Sequence, residues 1–312
     1  MHQRPSRSNW PYCDSTYPDA FSGEKDSCGV GFIASVEGKR NHWVLSQALR
    51  GLSCMEHRGG CGGDSDSGDG AGILCEIPWS YLRQVWDTAK QCEPQSSGIG
   101  MMFMPKDFKN REIARKICEQ EAESLGFASK GWRDVPVNEE VLGKLARENE
   151  PFIRQWIVNI KDKEINLEAL LFRLRQRISN RANLELKEDK LGLYVCSLSS
   201  KTIVYKGMVR SEILAPFYID LKDNRFEVSY AVYHRRFSTN TLPKWPLAQP
   251  MRLLGHNGEI NTLLGNINWA KATETDISSV WKNNANDLKP IVNNLFSDSA
   301  NLDLTLELLV RS

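Results

Sequence analysis

Short apolar runs alternate with longer stretches of helical periodicity along nearly the whole chain after residue 27. Apolar runs bounded by turn residues predict buried strands, and apolar side chains spaced three and four residues apart predict amphipathic helices. Such alternation indicates an α/β or α+β domain. No internal repeat and no linker rich in Pro, Gly or Ser divides this body, so we expect one large domain.

The individual elements follow from the same periodicities. The predicted strands cover 28–36, 71–78, 99–104, 152–160, 191–198, 202–207, 225–237 and a short run at 251–258 that leads into a turn. The predicted helices cover 42–56, 79–92, 107–125, 138–149, 167–186, 259–274 and 301–311. We expect loops at 58–70 and 282–294, and an apolar face on the last helix formed by Leu302, Leu306 and Leu309.

Charge and cysteine content narrow the class of function. Lys plus Arg (40) nearly equals Asp plus Glu (39), and the net charge of +1 gives no general attraction to nucleic acid or membrane. No apolar run approaches the roughly 18–20 residues that span a bilayer. The eight cysteines include no CxxC pair, which argues against a zinc site and a disulfide scaffold. We therefore expect reduced thiols and a cytoplasmic location, with the plastid stroma as the alternative.

A polar leader meets an apolar strand at Cys28, within "GEKDSCGVGFIASVEG". The first 27 residues contain acidic side chains and no apolar segment, so they are not a secretory signal and are unlike a transit peptide. The cysteine has two interpretations. It is either a small core residue or a nucleophile that becomes the first residue after the leader is removed.

The segment "RGGCGGDSDSGDGAG" superficially resembles a calcium loop and a phosphate loop. Counted from Asp64, the fifth, sixth and twelfth positions are Gly68, Asp69 and Cys75, which departs from the EF-hand pattern at each. A Walker loop would end in Gly-Lys-Ser/Thr, and this segment does not. We predict a tight glycine loop required by close approach of the backbone.

Three further motifs each have a structural and a functional interpretation. The arginine pair of "HRRFSTNT" is a surface ion pair or a bidentate grip on a carboxylate. Asn257 and Gly258 of "GHNGEINT" form an ordinary turn or supply two donors to a developing negative charge. The "FSDSAN" segment caps the last helix or places Asp298 in a site. No motif decides the question alone, but their order along the chain favours a common site.

Taken together, these motifs resemble the glutaminase domain of glutamate synthases, which are class II glutamine amidotransferases of the N-terminal-nucleophile hydrolase superfamily. The resemblance runs from Cys28 to the end of the chain. Its most specific pieces are "CGVGFIA", "ALRGLSCMEHRGG", "GDGAGILCEIP", "HRRFSTNTLPKWPLAQP" and "LGHNGEINTLLGNINWAKATE". It implies an α+β fold, namely a four-layer αββα sandwich, with residues 1–27 as a cleaved leader and 28–312 as the amidotransferase domain.

The resemblance also implies a reaction and the residues that perform it. Cys28, with its own α-amino group as general base, attacks the side-chain amide of glutamine and releases ammonia. By the same resemblance, Asn257 and the Gly258 N–H are the oxyanion donors. Arg236 binds the α-carboxylate of the substrate and Asp298 recognises its α-amino group. Arg58 lies close to the site.

Glutamate synthases are several times longer than this chain, so the chain is expected to be a fragment, a truncated gene product or one piece of a split enzyme, with the amidotransferase domain truncated at its C-terminal end. The resemblance implies no cofactor in the chain itself, and FMN and an iron–sulfur cluster in a separate synthase part that uses ammonia on 2-oxoglutarate. The expected partners are glutamine and that synthase part. The alternative is a chain whose leader stays attached and which acts as a non-catalytic glutamine-binding or regulatory module.

Overall fold

A computed structural model describes residues 29–56, 59–60, 64, 66–161, 166–186, 192–236, 243–258, 260–294 and 296–312. The strands in these ranges are β1 (Val30–Ala34), β2 (Ala71–Glu76), β3 (Ser97–Met104), β4 (Ala128–Asp134), β5 (Phe152–Asn159), β6 (Tyr194–Ser199), β7 (Thr202–Gly207) and β8 (Tyr230–Arg235). The α-helices are α1 (His42–Cys54), α2 (Trp79–Val85), α3 (Asp87–Lys90), α4 (Phe108–Ser124), α5 (Lys144–Glu148), α6 (Leu167–Glu185), α7 (Leu214–Phe217), α8 (Leu263–Thr273), α9 (Ser278–Trp281) and α10 (Asp298–Arg311).

The strands form two antiparallel sheets of four, ordered β1-β8-β2-β7 and β4-β5-β3-β6. Helix α1 packs on β1 and β8, while α4 and α6 pack on the second sheet. The two sheets face each other through one apolar core that includes Ile73, Tyr205 and Phe103. A second core lies between the second sheet and its helices. The layers therefore run helix, sheet, sheet, helix, and the predicted αββα sandwich is confirmed.

The long helices begin where the sequence supplies a capping side chain. Asn41, Asp107 and Asn166 precede α1, α4 and α6, and each side chain accepts a hydrogen bond from the backbone N–H three residues further on. These bonds satisfy N–H groups that the first helical turn leaves without a partner. No helix within the described ranges is both long and apolar enough to cross a membrane.

Several predicted elements are wrong in detail. The run 251–258 is not a strand, because the N–H groups of Arg252, Leu253 and Leu254 donate to the carboxylate of Asp303 instead of to a neighbouring strand. The predicted helix 79–92 breaks at Trp86, which is extended, and 138–149 is divided into a 3₁₀-helix, Glu139–Val141, and the short helix α5. Strand β4 was not predicted, since it is a largely exposed edge strand with few apolar residues.

The C-terminal region differs most from the prediction. The expected surface loop 282–294 contains a 3₁₀-helix, Lys282–Leu288, and buries Leu288, Ile291 and Val292. Helix α10 is confirmed, but its predicted apolar face is wrong because Leu302 and Leu309 are exposed. Its buried face instead carries Asp303 and Glu307. Both carboxylates form ion pairs with Arg252, and Glu307 also pairs with Arg175.

Candidate active site

The start of β1 and the end of β8 lie side by side because these strands pair antiparallel. The carbonyl oxygen of Gly29 accepts a hydrogen bond of 2.6 Å from the backbone N–H of Arg235. The "CGVGFIA" motif therefore begins next to the arginine pair of "HRRFST". Cys28, the predicted nucleophile, directly precedes Gly29 and lies outside the described residues, as does Arg58.

The side chain of Asn257 reaches the same end of the sheet. Its Oδ1 and Nδ2 atoms lie 3.1 Å and 3.3 Å from the position that a Cβ atom on Gly29 would take. The polypeptide thus brings an amide side chain beside the residue that follows Cys28.

Hydrogen bonds to His256 hold the turn that carries Asn257. The backbone N–H of His256 donates to Oε1 of Gln249 at 3.1 Å, and its carbonyl oxygen accepts from Nε2 of Gln249 at 3.1 Å and from Nε2 of His234 at 2.9 Å. The N–H of Gly258 donates to Nδ1 of His256 at 3.0 Å. The second predicted oxyanion donor is therefore engaged by a ring nitrogen in this conformation.

Arg236 leaves the strand with a backbone φ of 98°, a conformation that side chains other than glycine rarely adopt. Its N–H donates to the carbonyl oxygen of Gly70 at 2.7 Å, which fixes this geometry. Its side chain is 48% exposed, and Nε lies 3.8 Å from Oδ2 of Asp69. Strained residues of this kind occur often in functional sites. The guanidinium of Arg236 is accessible to a ligand.

Arg235 has the opposite environment, because its side chain is fully buried. Nη1 lies 2.5 Å from Oδ1 of Asp69, and Nη2 lies 3.1 Å from Oε1 of Glu56. Burial raises the pKa of the Asp69 carboxyl, while the hydrogen bond from Gly60 and the charge of Arg235 limit the rise. A Cβ on Gly59 would overlap the guanidinium of Arg235, so the predicted close approach in the glycine loop is confirmed there.

The acidic part of this loop bonds to its own neighbours. The carboxylate of Asp64 accepts hydrogen bonds from the N–H of Leu145 and from the N–H and hydroxyl of Ser67. These bonds, that of Leu145 first, lower the pKa of Asp64. Within the described ranges, no group of three or more His, Cys, Asp or Glu side chains is placed to hold a metal ion.

Asp298 is the buried first residue of α10. Its carboxylate accepts hydrogen bonds from the N–H of Ser299 at 2.6 Å and from the N–H of Ile260 at 3.1 Å. Ile260 follows the turn at 256–258, so Asp298 is tied to the segment that carries Asn257. The capping interpretation of "FSDSAN" is confirmed, since Ser297 Oγ accepts from the N–H of Ala300.

Sequence reasoning missed three residues that support this site: Asp69, His234 and Gln249. Asp69 and Arg235 are 166 positions apart in the chain, and nothing in a single sequence pairs them. His234 precedes the arginine pair inside "YHRRF", and its place in an apolar strand was the available signal. A polar residue in a buried strand needs a partner, and here the partner is the turn at His256.

The family model for class II glutamine amidotransferases matches residues 28–312. The chain belongs to this family. The amidotransferase match begins at Cys28, and leaves residues 1–27 outside it. Both the αββα layers and the position of Asn257 beside Gly29 are consistent with this assignment.

The amidotransferase domain is similar to parts of ferredoxin-dependent glutamate synthases. It is 52% identical over 295 residues to ferredoxin-dependent glutamate synthase 2 of Synechocystis sp., which covers 93% of this chain and 18% of that protein. The chloroplastic/mitochondrial ferredoxin-dependent glutamate synthase 1 of Arabidopsis thaliana and the chloroplastic enzyme of Spinacia oleracea are each 46% identical over 295 residues, with the same coverage of 93% and 18%. The chain spans about a fifth of the length of these relatives.

Proposed function

We propose that this amidotransferase domain hydrolyses glutamine to glutamate and ammonia, with Cys28 as an N-terminal nucleophile exposed by removal of residues 1–27. The observation that carries this proposal is the position of the Asn257 amide against Gly29. An oxyanion on the carbon bonded to the Cys28 sulfur would form next to residue 29. The start of the family match at residue 28 supports the same boundary.

In the proposed reaction, the α-amino group of Cys28 takes the thiol proton, since an α-amino pKa near 8 suits a base at neutral pH. The sulfur attacks the side-chain amide carbon of glutamine, and Asn257 Nδ2 donates to the resulting oxyanion. The N–H of Gly258 can join it only after leaving the His256 ring. The C–N bond then breaks, the leaving nitrogen takes the proton from the amine, and water hydrolyses the thioester.

The substrate's α-amino acid group provides two further contacts in this proposal. The exposed guanidinium of Arg236 grips the α-carboxylate, because its planar fork matches two carboxylate oxygens. Asp298 recognises the α-amino group as a buried carboxylate beside the Ile260 segment. Arg58 belongs to the glycine loop that lies next to the arginine pair. We therefore place Arg58 close to the site.

Replacement of Asn257 by alanine tests the proposal. We expect kcat for glutamine hydrolysis to fall by about 100- to 1,000-fold with little change in KM, as loss of an oxyanion donor does. Asn268→Ala, an exposed asparagine on α8, is the matched control and should behave as wild type. A raised KM with unchanged kcat would make Asn257 a substrate-positioning residue, and Cys28→Ser with substantial hydrolysis would remove Cys28 from the role.

For the whole protein, we propose that the ammonia passes to a synthase part that carries FMN and an iron–sulfur cluster and aminates 2-oxoglutarate. The relatives' names support ferredoxin as the electron donor. The chloroplastic names of the plant relatives support the plastid stroma over the cytoplasm. Cell fractionation with an antibody to the chain distinguishes these compartments.

A further inference from the structure

The 252–258 segment, which carries the proposed oxyanion donor, belongs to no helix or strand. The hydrogen-bond ladder of regular structure does not fix its path, so other groups must satisfy its N–H groups. Asp303 of α10, with 1% of its surface exposed, does so at the start of the segment. Its Oδ1 accepts hydrogen bonds from the N–H of Leu253 at 2.8 Å and of Leu254 at 3.1 Å, and its Oδ2 accepts from the N–H of Arg252 at 3.3 Å. One buried carboxylate therefore holds three successive backbone N–H groups.

The same helix also holds the chain on the far side of Asn257. Asp298, the first residue of α10, accepts a hydrogen bond from the N–H of Ile260 at 3.1 Å. Between these two anchors the segment passes over β1, where a Cβ on Gly255 would lie 3.4 Å from Cγ2 of Val30. The distance between the Asn257 amide and the start of β1 therefore depends on where α10 holds the two ends of this stretch.

The other buried acidic residue on this face of α10, Glu307, makes a different kind of contact. Its Oε2 accepts hydrogen bonds from Nη2 of Arg175 at 2.6 Å and from Nε of Arg252 at 3.0 Å. The same Nε of Arg252 lies 3.7 Å from Oδ2 of Asp303, which is beyond hydrogen-bond distance. Glu307 thus binds guanidinium groups, whereas the hydrogen bonds of Asp303 go to the backbone of the 252–258 segment.

We propose that Asp303 is a positioning residue for Asn257. Its carboxylate fixes the path of residues 252–254, and this path sets how closely the Asn257 amide approaches residue 29, where the oxyanion forms. Without this acceptor, three buried N–H groups lose their partner, which is costly, so the backbone shifts to find new ones and carries Asn257 with it. This inference rests on the proposed function of Asn257 as an oxyanion donor.

Substitutions at Asp303 and Glu307 separate positioning from stability. Asp303→Ala removes the acceptor, and kcat for glutamine hydrolysis should fall about tenfold or more, because a displacement of about 1 Å at a catalytic group is costly. KM should stay within about threefold of wild type, since Arg236 and Asp298, the residues proposed to bind the substrate, lie at the end of β8 and on α10. A fall in stability with kcat unchanged would mean a merely structural role.

Two conservative variants serve as controls. Asp303→Asn keeps Oδ1 as the acceptor for the N–H groups of Leu253 and Leu254, so kcat should stay within about threefold of wild type. Glu307→Gln weakens the buried ion pairs of α10 and lowers stability, but kcat should again stay within about threefold. If either variant lost as much kcat as Asp303→Ala, the inference would be overturned.

A double-mutant cycle with Asn257→Ala links the two residues. If Asp303 acts through Asn257, Asp303→Ala should have little further effect on kcat in the Asn257→Ala background. An undiminished effect there would overturn the inference while leaving Asn257 as an oxyanion donor. If Asn257→Ala itself leaves kcat unchanged, the proposed function of Asn257 has failed, and the inference with it.

Should Asp303→Ala not fold, two other measurements decide the question. Hydrogen exchange followed by NMR on the wild-type protein should show the N–H groups of Leu253 and Leu254 protected at least about 100-fold relative to the unfolded chain. Asp303→Glu, which keeps the charge and moves the acceptor by one methylene group, should lower kcat about tenfold. Unprotected N–H groups at these two positions, or full kcat in Asp303→Glu, would overturn the inference.

Discussion

Alanine at Gly29 would disturb the contact on which the proposed mechanism depends. The added Cβ would lie 2.5 Å from the carbonyl oxygen of Arg235 and 3.1 Å from Oδ1 of Asn257. The first of these atoms is backbone in a paired strand, so it cannot rotate away. The N–H of the same residue bonds to the Gly29 carbonyl, so relief of the contact also weakens that bond.

The expected size of the effect follows from these distances. Non-bonded atoms separate to about 3.5 Å, so β1 and β8 must move apart by roughly 1 Å near residue 29. Overpacking of this kind lowers the free energy of unfolding by about 1–3 kcal/mol. A displacement of about 1 Å at a catalytic group reduces turnover by roughly 100-fold. The carbonyl of Arg235 and the N–H of Arg236 belong to one planar peptide group, so the displacement reaches Arg236 as well, and KM for glutamine should rise along with the loss of turnover.

The assay is glutamine hydrolysis together with urea unfolding, on protein whose first residue is confirmed as Cys28 by mass. Gly265→Ala on α8 is the matched control, since no atom lies within 4 Å of its added Cβ. It should keep full activity and gain up to about 1 kcal/mol in stability. Gly29→Ala with normal turnover and normal unfolding would show that Asn257 does not approach residue 29 as described.

Three further results are expected. Arg236→Lys should raise KM for glutamine by about 10- to 100-fold, because it loses the fork that bonds a carboxylate; an unchanged KM would exclude it from substrate binding. Arg235→Lys should instead lower the free energy of unfolding by about 1–3 kcal/mol, since lysine cannot bond both Asp69 and Glu56; an unchanged stability would contradict the buried contacts of Arg235. Folding lowers the pKa of His234 from 6.5 to about 4. As the pH falls, the unfolded chain therefore binds this proton at a higher pH than the folded protein does. Stability should therefore drop between pH 6.5 and 4, by about 2 kcal/mol at pH 5 relative to pH 7.5, and His234→Asn should remove that drop; an identical pH dependence in the variant would contradict the buried neutral ring.

Most strands and long helices could be predicted from sequence because they follow local periodicity, whereas the αββα layers were implied only by the resemblance to class II glutamine amidotransferases. The wrong predictions lie where a contact with a residue distant in sequence overrides the local pattern. Helix α10 turns Asp303 and Glu307 inward because Arg252 and Arg175 pair with them, while a sequence pattern assumes that charged residues face water. The strand predicted at 251–258 fails for the same reason, since the Asp303 carboxylate binds its N–H groups.

The candidate site shows the same limit. Motif order and the family resemblance together indicated Asn257, Arg236 and Asp298. Whether these residues lie close together depends on strand pairing, which no motif specifies. The two arginines of the pair point in different directions, with Arg235 buried and Arg236 exposed. The support from His234 could not be predicted, because it requires that the end of β8 meet the turn at 256–258, and no local pattern encodes that contact.

The most direct test of the proposed mechanism is mass spectrometry after reaction with a glutamine analogue that carries a diazoketone in place of the side-chain amide. We expect a single covalent adduct on Cys28, in a chain that begins at that residue with residues 1–27 removed. An adduct on another cysteine, or on Cys28 with the leader still attached, would contradict the proposed N-terminal nucleophile.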